Sequence, residues 1–292
     1  MNNQPALPNI DTSYMIDFLT KLLNTPSPTG FASAAIELVE QEAAKYPEVK
    51  LERTKKGSLL LTLPAQNSSG NGSKRALTAH VDTLGAMVRQ IKPSGRLELT
   101  SVGGFAWGSI EGENCLVHTR RNGTVRGSLL PHEASVHVYE NVRDGKRDNL
   151  SMEVRLDQRV TTAEETRQLG IEVGDYVSFD ARVEVVNGFV KSRHLDDKAC
   201  VANIIMVIKA LHDANLKPAV DTCFLISNYE EVGHGGSSDF PEGLEELVAL
   251  DMAAIGDGQA SDEYHASICV KDAGGPYHHE LSSKLRDLAD LY

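Results

Sequence analysis

At 292 residues, with 41% hydrophobic and 24% charged side chains, the chain has the composition of an ordinary globular protein, one large domain or two average ones, which excludes collagen, coiled coil and disorder. Lys and Arg number 29 and Asp and Glu 41, a net charge of −12 that repels phosphate backbones and makes nucleic acid a poor partner. No run approaches the ~18 apolar residues of a membrane helix, MNNQPALPNIDTSYM lacks the pattern of a secretory signal, and Cys115, Cys200, Cys223 and Cys269 form no CxxC pair, so a cytoplasmic protein with reduced thiols is expected.

Met15, Phe18, Leu19, Leu22 and Leu23 recur at helical spacing until Pro26 and Pro28 end the pattern. A second helix is predicted over about residues 32–46, with Ala35, Leu38 and Val39 on one face. Residues 59–63 and 76–79 then read as short strands, separated by AQNSSGNGSK, whose Gly, Ser and Asn content marks an exposed loop. From residue 87 to 191 the texture changes to short alternating segments punctuated by glycine. GRLELTSVGG, CLVHT, TVRGSLL, ASVHVY, MEVRLD and YVSFDARVEVV read as strands, and TTAEETRQLG as a helix closed by Gly170. A β-rich block inside an α/β chain predicts an inserted domain, residues 87–190, between the two parts, 1–86 and 191–292, of an α/β domain. Beyond it, Val201, Ile204, Ile205, Ile208 and Leu211 predict an amphipathic helix starting just after Asp196 and Asp197, and residues 220–227 and 247–250 predict strands buried in a mostly parallel sheet.

Acidic and histidine side chains fall at equivalent places in this pattern. His80 and Asp82 follow the strand RALTA, Glu230 and Glu231 follow TCFLIS, Asp251 closes LVAL, and Asp196 and Asp197 open a helix. In open α/β sheets ligands bind outside the carboxyl ends of the strands, so three strands would deliver these groups to one sheet edge. Imidazole nitrogen and carboxylate oxygen suit a hard or borderline divalent cation. A pair of cations about 3.5–4 Å apart needs a bridging carboxylate, for which Asp196 is the natural candidate. Asp82 could orient His80, Glu231 could bind metal, and Glu230 could take a proton from water. Taken singly each group has an ordinary reading: a surface turn for His80-Val81-Asp82, a helix-dipole partner for Asp196 and Asp197, an acidic loop for EEVGHGG, a cap for Asp251. Only their joint placement at strand ends favours a site. His118, His132, His137, His194, His212 and His234 have no partner at ligand spacing and read as surface or core residues. No GxSxG, Walker A or GxGxxG motif is present.

HVDTLGAMV, GRLELTSVGG, the tract LGIEVGDYVSFD…NGFVKSRHLDDK, EEVGHGG and VALD resemble the M42 family of metallo-aminopeptidases, in order and spacing from about Ser13 to Tyr277. RHLDDKACVA and DTLGAMV are most similar to a bacterial subgroup linked to osmoprotectant dipeptide gene clusters. The resemblance implies an α/β catalytic domain interrupted by a β-rich dimerisation domain. It implies that His80 and Asp251 hold one metal, Glu231 the second, that Asp196 bridges them, that Glu230 is the general base and that Asp82 orients His80. It also implies peptide substrates, zinc or cobalt as cofactor, and a homo-oligomer based on dimers, up to a dodecamer.

Two departures accompany it. Family members usually continue beyond the GGPY-like segment into a strand, a helix and a histidine that completes the second metal site, whereas this sequence stops at Tyr292 with only His265, His278 and His279 after Asp251. Cys200 stands where the family usually has glycine, beside the bridging aspartate. Two expectations follow: a working di-metal aminopeptidase in which water, His278 or His279 replaces the missing ligand, or a truncated, impaired relative acting as a binding or assembly subunit.

Overall fold

The structure, a computed structural model, describes residues 7–68 and 74–292; the middle of the expected loop AQNSSGNGSK and the first six residues lie outside the described residues. In chain order the elements are α1 (Thr12–Leu23), α2 (Ser33–Ala43), β1 (Lys50–Arg53), β2 (Leu59–Leu63), β3 (Lys74–His80), β4 (Gly85–Ile91), β5 (Leu97–Val102), β6 (Asn114–His118), β7 (Thr124–Pro131), β8 (Met152–Leu156), α3 (Ala163–Gln168), β9 (Tyr176–Phe179), β10 (Glu184–Val186), β11 (Phe189–Lys191), α4 (Leu195–Asp213), β12 (Asp221–Ser227), β13 (Leu244–Ala249) and α5 (His279–Leu291).

Five strands form one mixed sheet in the order β1-β2-β12-β3-β13. The β1-β2 and β2-β12 pairs are antiparallel, while β12, β3 and β13 run parallel. The period-two alternation of strand side chains divides this sheet into two faces. Leu59, Leu61, Leu63, Phe224 and Ile226 pack under Phe18, Leu22 and Leu23 of α1, Ile36 and Val39 of α2, and Val201, Ile204, Ile205 and Ile208 of α4. The intervening Leu60, Ala76, Cys223 and Leu225 form a thinner cluster on the other face, against Phe240 and Leu244. All seven residues of β12 are buried because it lies between β2 and β3. By contrast β13, expected to be buried, alternates between half-buried and exposed: it is an edge strand, with β3 as its one neighbour in the sheet, and Leu247 stays 42% exposed.

Between β3 and α4 the chain builds a closed six-stranded barrel in the order β4-β5-β8-β7-β6-β9. Its own core contains Val88, Leu97, Leu99, Cys115, Val117, Leu129, Val154, Ile171 and Val177. The expected helix TTAEETRQLG forms as α3, where Thr162 and Glu165 make a reciprocal capping box and Gly170 takes a left-handed conformation just past the end. ASVHVY is not a strand. Val138 and Tyr139 both donate backbone N–H to the Ser135 carbonyl, folding a turn that leaves Val136, Val138 and Tyr139 exposed. Alternating apolar residues that find no neighbouring ladder have nothing to hold them extended. Regular helical geometry in α4 begins only after Asp196 and Asp197, which have non-helical backbone angles and a cis peptide bond between them.

Candidate metal centre

The three parallel strands end in step. His80 is level with Ser227, Val81 N–H donates to the Ser227 carbonyl at 3.1 Å, and Leu250 N–H donates to the Thr78 carbonyl at 2.8 Å. Their carboxyl ends therefore release His80–Asp82, Asn228–Glu231 and Asp251 at one sheet edge, and the irregular start of α4 adds Asp196 from the helix side.

His80 is the centre of the group and is 2% exposed. Its Nδ1 lies 2.9 Å from the Asp82 carbonyl oxygen, a contact that keeps a proton on Nδ1 and turns Nε2 outward to the carboxylates. Nε2 lies 3.1 Å from Asp196 Oδ1, 3.7 Å from Glu230 Oε2 and 3.9 Å from Asp251 Oδ1. Ligand atoms of His80, Asp196 and Asp251 all fall within 4.8 Å of one another. Glu231 is not in that triad, but it stands close enough to feel the charges of Asp196, Asp82 and Glu230.

Asp82 is wholly buried and works through two different groups. Its carbonyl, rather than its carboxylate, makes the short contact to the imidazole, the carboxylate Oδ1 being 3.7 Å away. The carboxylate instead accepts the Thr29 hydroxyl at 2.6 Å and the backbone N–H groups of Glu230 and Glu231 at 3.2 and 3.4 Å. One side chain thus ties the imidazole strand to the loop carrying both glutamates. Two supporting residues, Thr29 and Lys198, were not singled out in the sequence, and Asp197 was noted there only beside Asp196 at the start of a helix. Thr29 holds Asp82; Asp197, also buried, accepts His80 N–H at 3.1 Å; and Lys198, with no exposed surface, donates to the carbonyls of Leu22 and Thr25 at 2.9 and 2.7 Å, fastening the start of α4 to the end of α1. Threonine after proline, the second of two aspartates and a lysine at a helix start are surface patterns by default, so spacing alone could not assign them these supporting roles.

The electrostatics are those of crowded, desolvated carboxylates. Burial, then the charge of Asp196, pushes Glu231 up to about 7, and burial raises Asp197 to about 7. Burial also raises Glu230 and Asp251. For His80, burial opposes the imidazolium, but the hydrogen bond to Asp196 and the charges of Asp197, Asp82 and Asp251 outweigh it and push it up to about 10. Six carboxylates surround one imidazole, a donor set of hard oxygens and one nitrogen that calls for positive charge and fits divalent cations.

Four of the remaining histidines are engaged elsewhere. His194 lies against the Phe179 carbonyl at 3.3 Å, His212 against Glu48 at 2.7 Å, and His265 against Asp262 at 2.8 Å. His278 caps α5 by accepting Leu281 N–H on Nδ1 at 3.3 Å. Cys200 contacts Asp197, and burial pushes its thiol far above the usual range. Among the described residues no helix is long and apolar enough to cross a membrane.

The family model for M42 glutamyl aminopeptidase matches residues 57–292. A Bacillus subtilis protein named "Putative aminopeptidase YhfE" is 47% identical over 278 residues, covering 95% of this chain and 79% of that protein. Among solved structures, an aminopeptidase from the archaeon Desulfurococcus kamchatkensis superposes with a TM-score of 0.78 at 23% identity, covering 95% of this chain and 77% of the other. The Pyrococcus horikoshii TET1 peptidase, described as assembling into a tetrahedron or a large octahedral shell, gives 0.75 at 21% identity, covering 94% and 80%. These two likenesses are of fold.

Proposed function

The chain belongs to the M42 family of peptidases, which makes it a relative of peptide hydrolases, and on that premise we propose that it removes N-terminal residues from peptides as a di-metal aminopeptidase. The observation that carries the proposal is the convergence of His80, Asp196 and Asp251 within 4.8 Å, with Glu230 Oε2 at 3.7 Å from the same imidazole nitrogen. His80 and Asp251 would hold one ion, Glu231 the other, and Asp196 would bridge them, with zinc or cobalt as the ions. Two divalent cations, when bound, lower the pKa of water and polarise the scissile carbonyl.

The chain's own residues supply the rest. Glu230, its pKa raised by burial, accepts a proton from the attacking water and returns it to the leaving amine. Asp82 fixes both partners of that step: its carbonyl turns His80, and its carboxylate holds the backbone of Glu230 and Glu231. Surplus carboxylate suits the ammonium of a peptide N-terminus, the feature that distinguishes an aminopeptidase substrate from an internal peptide bond. The barrel, which begins at Gly85 and ends at Phe179, is proposed as the insert, expected over residues 87–190, through which subunits pair into an oligomer.

The test is Glu230→Gln. Turnover of aminoacyl substrates should fall by at least about 1,000-fold while both ions remain bound, as expected for loss of a general base. Loss of the ions in that variant would instead make Glu230 a ligand.

A further inference from the structure

Five aromatic rings stand together beside the metal centre, and the mechanism uses none of them. Phe31 stacks on Tyr176 with ring centroids 5.3 Å apart and lies against His118 at 4.7 Å. Tyr229 stacks on His234 at 5.3 Å, with ring planes only 16° apart. Gly30 joins the two groups. Its φ is +86°, which favours glycine, and a Cβ placed there would lie only 2.5 Å from Tyr176 Oη while meeting Tyr229 Cε1 at an ordinary 3.6 Å, so a side chain here would push Tyr176 out of the turn.

This surface is anchored to the catalytic groups at both ends. Thr29, the residue before Gly30, donates its hydroxyl to Asp82, and Gly30 N–H donates to Asn228 Oδ1 at 3.3 Å. Tyr229 directly precedes Glu230 and sits in a left-handed conformation, φ 71°. A side chain in the strained turn that delivers the proposed base is well placed to touch what the base acts on. Phe31 is 37% exposed and His234 is exposed, so the wall presents ring faces to solvent rather than being closed into the core.

Its chemistry is apolar. Burial lowers the pKa of His118, and its Nε2 is held by Ser178 Oγ at 2.8 Å, so the imidazole stands as a fixed, uncharged ring. Lys56, the cation beside His234, is committed to the His234 and Gly235 carbonyls, the latter at 2.9 Å, and is not offered to an acidic ligand. None of the five side chains carries a carboxylate that could pair with a lysine or arginine.

We propose that Phe31, His118, Tyr176, Tyr229 and His234 form the wall that receives the side chain of the residue being removed, selecting apolar and aromatic N-terminal residues over acidic and basic ones. This assignment rests on the aminopeptidase reading above and specifies the substrate class of the same site. Flat ring faces give area-dependent contact, which favours leucine, methionine and phenylalanine side chains over charged ones.

The experiment uses the full chain with added zinc or cobalt and a series of aminoacyl-p-nitroanilides carrying Ala, Leu, Phe, Glu and Lys. Leu and Phe should be cleaved with kcat/KM at least about 10-fold above Glu and Lys, the discrimination expected when a hydrophobic pocket is filled. Phe31→Ala, in an irregular segment, and Tyr229→Gly, which suits the left-handed backbone, should each lower the Phe-to-Ala ratio of kcat/KM about 10-fold, mainly through KM. Binding of phenylalaninamide to Glu230→Gln, followed by calorimetry, should weaken in the same two backgrounds. Preference for Glu or for Lys, or an unchanged Phe-to-Ala ratio in both variants, would overturn the wall while leaving the aminopeptidase reading intact. Cleavage of no member of the series would overturn that reading and the wall together.

Discussion

Two strands bring the proposed metal ligands to the same sheet edge on very different supports. His80, at the end of β3, is buried, and β3 is flanked by β12 on one side and β13 on the other. Its ring nitrogen is set by the Asp82 carbonyl and its backbone N–H by Asp197. Asp251 follows the edge strand β13, its side chain is 40% exposed, and its carboxylate accepts the N–H of the next residue, Met252, at 2.7 Å. Preorganisation is therefore concentrated on the β3 side, where neighbouring groups fix each ligand before any ion arrives, while the β13 side contributes charge from a looser support.

The comparison is broken most severely at Asp82. Asp82→Ala strips the acceptor from Thr29 and from the N–H groups of Glu230 and Glu231, so the base loop loses its tie to the strand end whose backbone carbonyl holds His80. Zinc affinity should fall about 100-fold and kcat/KM about 1,000-fold, measured by calorimetry and by peptide hydrolysis. Retention of wild-type affinity would show that the β3 side does not depend on this carboxylate.

Next in size is a pH effect from behind the same arm. His194 is buried against the Phe179 carbonyl, and burial, aided by the charge of Lys198, lowers it to about 4 from its ordinary 6.5. Below pH 6.5 the unfolded chain takes up a proton that the folded chain refuses. Stability is therefore fully present above that pH and is lost as pH falls toward 4, by about 3 kcal/mol from this group. In denaturant titrations at pH 7 and pH 4, His194→Gln should recover about that much relative to the parent at the lower pH. A pH-independent difference between the two chains would contradict the burial argument.

The smallest expected effect lies on the other arm. Asp251→Asn should weaken the binding of one ion about 10-fold, while unfolding free energy changes by less than about 0.5 kcal/mol, as for other exposed positions. If it destabilised the fold as a core substitution does, the edge strand would be better supported than its exposure indicates.

These contrasts also explain what could be read from the sequence. The continuous apolar run of β12 and the helical spacing of α1 and α4 are dictated by burial in a core, which periodicity reports directly, and His80, Asp196, Glu230, Glu231 and Asp251 could be placed because each follows such an element or opens one. What supports them was not legible. Thr29 reaches Asp82 across 53 positions, His80 N–H reaches Asp197 across 117, and the buried amine of Lys198 is satisfied by carbonyls at the far end of α1. Such contacts are set by how the layers pack. ASVHVY failed for the complementary reason: alternation describes a strand only when a neighbour is there to pair with it, and the chain turns at Ser135 instead.

The most direct test of the account is a calorimetric zinc titration of the stripped chain and of Asp196→Asn. The account predicts two ions per chain, both bound more weakly in the variant, because Asp196 is proposed to bridge the two ions. A single ion in the parent chain, or two ions held as tightly without the Asp196 carboxylate as with it, would contradict the shared centre.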